Sequence, residues 1–352
     1  MKNCLVALFV LPYVVSGQTF DEAIQQSRQE INTILTEYPG VSVAVGYQDR
    51  IVWSEGFGYA DAEAGTKVSA DHRFLYYSLS KSNVGLAIYQ LVQEGKIDLD
   101  KPVTAYDPDL PETYQEVTVR TLLNHSAGVR HYNKGEWMKI SMDNCQSPKQ
   151  ALETFIDDPL IGTPGQAHRY SSFGYVLLSH LLEIVTDQPF DAFIADNVFA
   201  PRSVNRIERT QGPDLMDLQV TRYQKWNSKK ESGKEIIVDN SCKFGGGGFI
   251  GTAAGLASLH MQVLQEEKAK PTAKLYESLN PEIRWYTHGL GVNTTDTGDT
   301  YYIHTGSGGG GSAILLIYPD SDLTIVILGN INGDGVKNIV GNVGYHFLAA
   351  LE

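Results

Sequence analysis

Cysteine is scarce in this chain of 352 residues: three in all, at Cys4, Cys145 and Cys242, too few for a disulfide-built scaffold. Runs of Lys or Arg are missing, and the formal charge is −13, so Coulomb repulsion disfavours a nucleic-acid binder and no nucleic-acid partner is expected. Beyond the N-terminus no stretch of about 18 apolar residues occurs, and no membrane span is expected in the mature chain. HExxH, cysteine clusters and His-x-His pairs are absent, and nine scattered histidines offer no ligand set. Neither a metal nor a cofactor is expected. The glycine runs Gly245 to Gly248 and Gly308 to Gly311 lack the Lys-Ser/Thr of a phosphate loop, and no G-x-S-x-G elbow surrounds them. They read as places of close backbone approach. What remains is an ordinary globular mix, 42% hydrophobic and 20% charged, able to bury a real core.

The N-terminus reads as a secretory signal. Met1-Lys2-Asn3 gives a positive start, Leu5 to Val15 an apolar stretch, and Val15-Ser16-Gly17 compact residues before Gln18. Pro12 within the run argues against a buried helix. Residues 1–17 are thus expected to be cleaved, leaving 18–352 as a secreted or periplasmic protein. In an oxidising compartment Cys145 and Cys242 could bridge, although nothing in the sequence brings them together.

Apolar spacing predicts a helix over Phe20 to Tyr38, followed by a hairpin of Val41 to Tyr47 and Arg50 to Ser54. The C-terminal end mirrors it with β-rich runs at Thr300 to Thr305, Ala313 to Tyr318 and Leu323 to Leu328. A helix carrying Val336, Ile339, Val340, Val343 and Phe347 follows. Between them Ser78 to Gln93, Val119 to Asn124, Pro148 to Ile156, Phe173 to Thr186 and Phe190 to Phe199 read as helical. The polar stretch Gln224 to Ile236 reads as a solvated loop or hairpin tip. The expected fold class is α/β (α+β): one antiparallel sheet built from both chain ends (about 18–80 and 245–352), flanked by helices, with a mainly helical insert (about 81–244).

One short pattern carries chemistry. Ser78-Leu79-Ser80-Lys81 is the chain's single S-x-x-K, and Val84, Ala87, Ile88, Leu91 and Val92 continue it at helical spacing to Gly95. Residues three apart share a helical face, so the Ser78 hydroxyl and the Lys81 amine can meet. A serine hydroxyl needs an adjacent base, and a lysine becomes one when burial or a neighbouring cation lowers its pKa. Serine before a helix is otherwise simply a cap.

Ser78-Leu79-Ser80-Lys81 has company. Gly56-Phe57-Gly58-Tyr59 precedes it. Leu122-Leu123-Asn124-His125-Ser126-Ala127-Gly128, Pro164-Gly165, Tyr170-Ser171-Ser172-Phe173-Gly174-Tyr175, Gly246-Gly247-Gly248-Phe249 and His304-Thr305-Gly306 follow in order. Together these resemble the serine β-lactamase and penicillin-binding protein superfamily, in its class C and esterase-like branch, over roughly residues 41–330. Val238-Asp239-Asn240-Ser241 and the glycines after it are similar also to the serine β-lactamase-like proteins of animal mitochondria. The resemblance implies that Ser78 attacks an acyl carbonyl to form an acyl-enzyme. Lys81 and Tyr170 would share the proton transfer, with Tyr170 near a phenolate under the lysine's charge. The backbone N–H groups of Ser78 and Ser307 would hold the oxyanion, and His304, Thr305, Gly306 and Ser172 would line the substrate site. His125 and His131 are read as structural.

Two departures from the branch bear on substrate. His304 stands where a lysine is usual, and a largely neutral imidazole cannot hold a β-lactam carboxylate as an ammonium does. Ser172 stands where an asparagine is usual, and it offers no amide. A secreted serine hydrolase acting on a small-molecule or peptide substrate, as peptidase or esterase rather than efficient β-lactamase, is therefore expected. The alternative is a catalytically weak or inactive acyl- or peptide-binding sensor or scaffold of the same fold.

Overall fold

Thr19 opens the first helix through a capping box: its hydroxyl accepts the Glu22 N–H at 3.3 Å, and the Glu22 carboxylate accepts the Thr19 N–H at 2.8 Å. The computed structural model describes residues 18–351 except 141–143, 213–216, 271–273 and 296–297, and omits the side chains of Met138 and Lys139. The secretory signal expected over residues 1–17 lies outside the described residues. Five helices of fourteen or more residues are described: α1 (Phe20–Ile34), α2 (Ser80–Gln93), α3 (Ser172–Thr186), α4 (Ala253–Lys268) and α5 (Gly335–Ala349). None of the described helices is long and apolar enough to cross a membrane.

The main sheet has seven strands: β1 (Gly40–Tyr47), β2 (Arg50–Asp61), β3 (Thr66–Lys67), β4 (Gly291–Thr294), β5 (Thr300–Gly308), β6 (Gly311–Tyr318) and β7 (Leu323–Gly329). Their order is β3-β2-β1-β7-β6-β5-β4, with every pair antiparallel. The two chain ends join where β1 meets β7, from Val41 opposite Gly329 to Tyr47 opposite Leu323. This is the antiparallel sheet with flanking helices that the hydrophobic patterning predicts.

Strands β6 and β7 are buried along their whole length because helices cover both faces. Alternate side chains serve the two layers. Ile314, Leu316, Ile325 and Ile327 pack with Ala23 and Ile31 of α1 and Val336 and Val343 of α5. Ala313, Leu315, Val326 and Leu328 face the other way, toward Leu256, Leu259 and Val263 of α4 and the larger core around α2 and α3.

Several elements differ from the expectation. The helix predicted from Ser78 starts at Ser80, and Tyr77–Leu79 forms a 3₁₀ turn before it. Phe190–Phe193 is α-helical, but Ile194–Phe199 widens into a π turn. The polar 224–236 stretch, read as a solvated loop or hairpin tip, is more than a tip: Tyr223–Asn227 pairs with Ser232–Glu235 as a largely exposed hairpin. Strand β4 was not foreseen, since Gly-Val-Asn-Thr is short and lacks alternation. Cys145 and Cys242 are bonded, with Cα atoms 4.8 Å apart across 97 positions of sequence.

Candidate active site

Ser78 sits on the 3₁₀ turn, in a backbone clamp. On one side the short strand Phe74–Leu75 pairs with Phe249–Gly251, Tyr76 donates its N–H to the Phe249 carbonyl at 2.9 Å, and Phe249 donates to Ser80 Oγ at 3.1 Å. On the other side runs β5, close enough that a Cβ on Gly306 would lie 2.0 Å from the Tyr76 carbonyl oxygen and 3.1 Å from the Ser78 nitrogen. Only glycine permits that approach. Tyr77 holds φ at +48°, a sparsely populated conformation for a bulky residue. Its ring fills the space left by Gly308 and Gly311, and its hydroxyl donates to the Gly309 carbonyl. The buried tyrosine thus fixes the turn that leaves Ser78 half-buried at the cleft.

Lys81, one turn on, is 0% exposed. Its Nζ lies 3.2 Å from Ser78 Oγ, 3.0 Å from Ser172 Oγ and 2.6 Å from the Gly246 carbonyl oxygen. Desolvation pushes its pKa well below the ordinary 10.5, and the charge of nearby Lys243 adds to the effect. A neutral amine has two N–H groups and one lone pair. The carbonyl can only accept, so it takes one N–H, and a hydroxyl can donate to the lone pair. The glycine run makes this possible: a Cβ on Gly246 would meet the Ser172 carbonyl at 2.6 Å, and one on Gly245 the Val84 side chain at 2.3 Å. Close backbone packing is what these glycines serve.

Tyr170 precedes α3, whose N-cap is Ser171, accepting the Gly174 N–H at 3.0 Å. Tyr170 lines the cleft with Ser78 and Ser172, and Lys81 Nζ lies 4.9 Å from its ring centroid. Burial pushes the phenol up to about 12, against the lowering effect of the neighbouring Ser78 and Ser172 hydroxyls. Burial thus shifts the phenol away from the near-phenolate expected for Tyr170, and it shifts Lys81, the cation meant to stabilise that anion, away from its charged form. Ser172, expected to face substrate, is 2% exposed and directs its hydroxyl to Lys81 at the floor of the cleft.

His125 and His131 hold this corner in place. His125 accepts the Ser171 N–H on Nδ1 at 3.2 Å and packs 4.4 Å from the Tyr170 ring, centroid to centroid. His131 accepts the Ser172 N–H on Nδ1, also at 3.2 Å, and lines the cleft. Each ring is neutral, held well below its usual range by burial, His131 at about 4.

From β5, His304, Thr305 and Ser307 line the same cleft, with Gly306 turned to the nucleophile turn. His304 Nδ1 lies 2.8 Å from the Thr305 carbonyl, which can only accept, so Nδ1 carries the proton and Nε2 accepts from the Tyr286 hydroxyl at 3.0 Å. Burial lowers this histidine to about 3. It is a neutral group at pH 7. Strand β4 covers β5 only as far as Ile303 opposite Gly291, so β4 leaves the edge from His304 to Gly308 open.

The cleft has a volume of about 800 Å³. It gathers Ser78, Tyr170, Ser172, His304, Thr305 and Ser307, with Lys81 and Gly306 directly behind them. It also contains Lys243, Tyr286 and Trp137, none singled out by the sequence. Lys243 stands beside the glycine run, the one signal in the sequence that points to it; Tyr286 lies in a stretch without a motif. No group of three His, Cys, Asp or Glu side chains able to share an ion occurs among the described residues.

Comparison with known proteins places this arrangement. The mitochondrial serine beta-lactamase-like protein of Mus musculus is 25% identical, over 88% of this chain and 75% of its own length. The penicillin-binding protein of Bacillus halodurans superposes with a TM-score of 0.77 at 21% identity, covering 91% of this chain and 98% of that one. The D-amino acid amidase of Ochrobactrum anthropi SV3, complexed with L-phenylalanine amide, gives 0.76 at 18% identity, with 94% and 100% covered. Both share the fold. The family model described as Beta-lactamase matches residues 20–347, a span that holds every residue of the cleft, and the chain belongs to that family of serine hydrolases.

Proposed function

We propose that the protein is a secreted hydrolase in which Ser78 forms an acyl-enzyme with a peptide, amide or ester. The observation that carries this reading is the fully buried amine of Lys81, 3.2 Å from Ser78 Oγ, with one N–H committed to the Gly246 carbonyl. A neutral amine there accepts the Ser78 proton as Oγ bonds to the acyl carbon. The oxyanion forms between the Ser78 and Ser307 N–H groups, which the fit of Gly306 against Tyr76 brings side by side. Tyr170, protonated and beside Ser78 in the cleft, donates its proton to the departing amine or alkoxide and is restored from Lys81 through Ser172. Water then attacks the acyl group by the same relay in reverse, and Ser78 regains its proton.

Amide and ester substrates are favoured over β-lactams because neutral His304 supplies no cation on β5. The similar solved structures include a D-amino acid amidase and a D-stereospecific amidohydrolase, which supports aminoacyl donors. The open edge of β5 suits an extended substrate backbone. Secretion is supported by the apolar Leu5 to Val15 leader and by the Cys145–Cys242 bond, of a kind that persists in oxidising compartments.

The test is covalent labelling with a fluorophosphonate, mapped by mass spectrometry. The reading requires one adduct on Ser78, absent in Ser78→Ala, and multiple turnovers of activated esters. Stable adducts without turnover would point to the acyl-binding sensor; equal labelling of Ser78→Ala would remove the mechanism.

A further inference from the structure

One side chain in the cleft has no part in the proton relay. Lys243 ends the 3₁₀ turn Ser241–Lys243, is 5% exposed and lines the same cavity as Ser78. Its Nζ lies 5.9 Å from the ring centroids of both Tyr77 and Tyr132. Gly247 leaves nothing between its stem and the nucleophile turn, since a Cβ there would sit 3.6 Å from both Lys243 Cδ and the Tyr77 carbonyl carbon.

A buried cation is ordinarily matched by an acid. Here no carboxylate among the described residues lies within ion-pair distance of Lys243. The acid that acts on it, Asp239, is itself buried, accepts the Ser241 N–H at 2.7 Å, and also acts on Arg222. The cleft as a whole is short of acid: Lys134 and Lys243 line it, and no Asp or Glu does. That inverts the balance of a chain with 41 acidic and 28 basic residues. The other nitrogen bases are spoken for. Lys81 is shifted toward its neutral form and hydrogen-bonded, and His131 and His304 are neutral and accept from protein donors. Lys134 is exposed, where water and salt screen its charge.

We infer that Lys243 is a specificity residue that binds a carboxylate of the substrate, so that the preferred acyl donors are anionic peptides or amides. The inference rests on the hydrolase reading above and deepens it. The cation that β5 lacks at His304 is supplied from the segment after Asp239 instead. Burial holds Lys243 at about 7, so a large share is charged at neutral pH, and a bound carboxylate supplies the missing partner and raises that share. In a low-dielectric cleft such a pair is worth more than at the surface.

The test compares N-succinyl-alanine p-nitroanilide with its near-isostere N-butyryl-alanine p-nitroanilide, in D and L forms, on wild type, Lys243→Met and Lys243→Arg. The expected result is a preference for the succinyl compound of about tenfold or more in kcat/KM, expressed in KM. Lys243→Met should bring the ratio near one, and Lys243→Arg should keep most of it. A ratio unchanged in Lys243→Met, or equal loss on both compounds, overturns the inference, because a merely structural lysine would act alike on both. The same pair is titrated calorimetrically onto Ser78→Ala, with and without Lys243→Met. Binding preference there survives a failure of the hydrolase reading, and its absence sinks the carboxylate site alone. Should Lys243→Met not fold, Lys243→Gln takes its place.

Discussion

Adding one methyl group at Gly306 should disable the site while leaving the fold in place. The new Cβ would sit 2.0 Å from the Tyr76 carbonyl oxygen, and an ordinary carbon–oxygen contact is about 3.3 Å. Strand β5 and the nucleophile turn must therefore part by about 1 Å. The Ser78 and Ser307 N–H groups then no longer converge on one oxyanion. Misplacement by about 1 Å costs about 10²-fold, and losing one oxyanion donor costs about 10²–10³-fold, or roughly 3–4 kcal/mol of transition-state stabilisation. The assay is kcat/KM on an activated ester, alongside near-UV circular dichroism to confirm native packing. Gly341→Ala is the matched control. It lies exposed on α5, its Cβ would meet nothing within 4 Å, and it should keep full activity and gain about 0.5–1 kcal/mol in stability. A natively packed Gly306→Ala enzyme with undiminished kcat/KM would refute the oxyanion geometry.

Three further outcomes follow from the same contacts. Tyr170→Phe keeps the ring against His125 and removes the hydroxyl, so kcat should fall by about 10²–10⁴ with little change in Tm; undiminished acylation and deacylation would remove the phenol from the relay. Lys81 has a native pKa well below its ordinary 10.5, so between those values the unfolded chain binds a proton that the native state lacks, and stability rises with pH. Urea unfolding at pH 7 and 9 should therefore show a larger gain for wild type than for Lys81→Met, and equal gains would contradict the burial of a neutral amine. Breaking the Cys145–Cys242 bond, which closes a span of 97 positions, should lower stability by about 2–5 kcal/mol, measured by unfolding of Cys145→Ser/Cys242→Ser; an unchanged midpoint would show that the bond constrains nothing.

The nucleophile and its base were legible because their relation is local: residues three apart on one helical turn meet whatever the rest of the chain does. The sheet was legible through alternation in β1 and through the continuous apolar runs of β6 and β7. Tyr170 could be found only through the motif around it. Other features arise from contacts far apart in sequence. The Gly246 carbonyl that fixes Lys81 is 165 positions away, and no local pattern announces it. Lys243 reads as one more lysine near a polar hairpin until the fold buries it beside Tyr77. Burial of Lys81, the condition its role as base requires, works against the positive charge that a near-phenolate at Tyr170 would need. Spacing locates a partner but not a dielectric, and complete burial outweighs any stabilisation the phenol could offer. Strand β4 was missed because its four residues carry no period, and the pairing with β5 alone defines it.

The protonation state of Lys81 is best read from the pH dependence of Ser78 acylation by a fluorophosphonate, followed in wild type under pseudo-first-order conditions. A buried amine shifted well below 10.5 predicts a rate that rises through that lowered pKa and is flat before the ordinary lysine range is reached. A rate that keeps climbing until a free lysine would titrate would mean that Lys81 rests charged, and that Ser78 has no base.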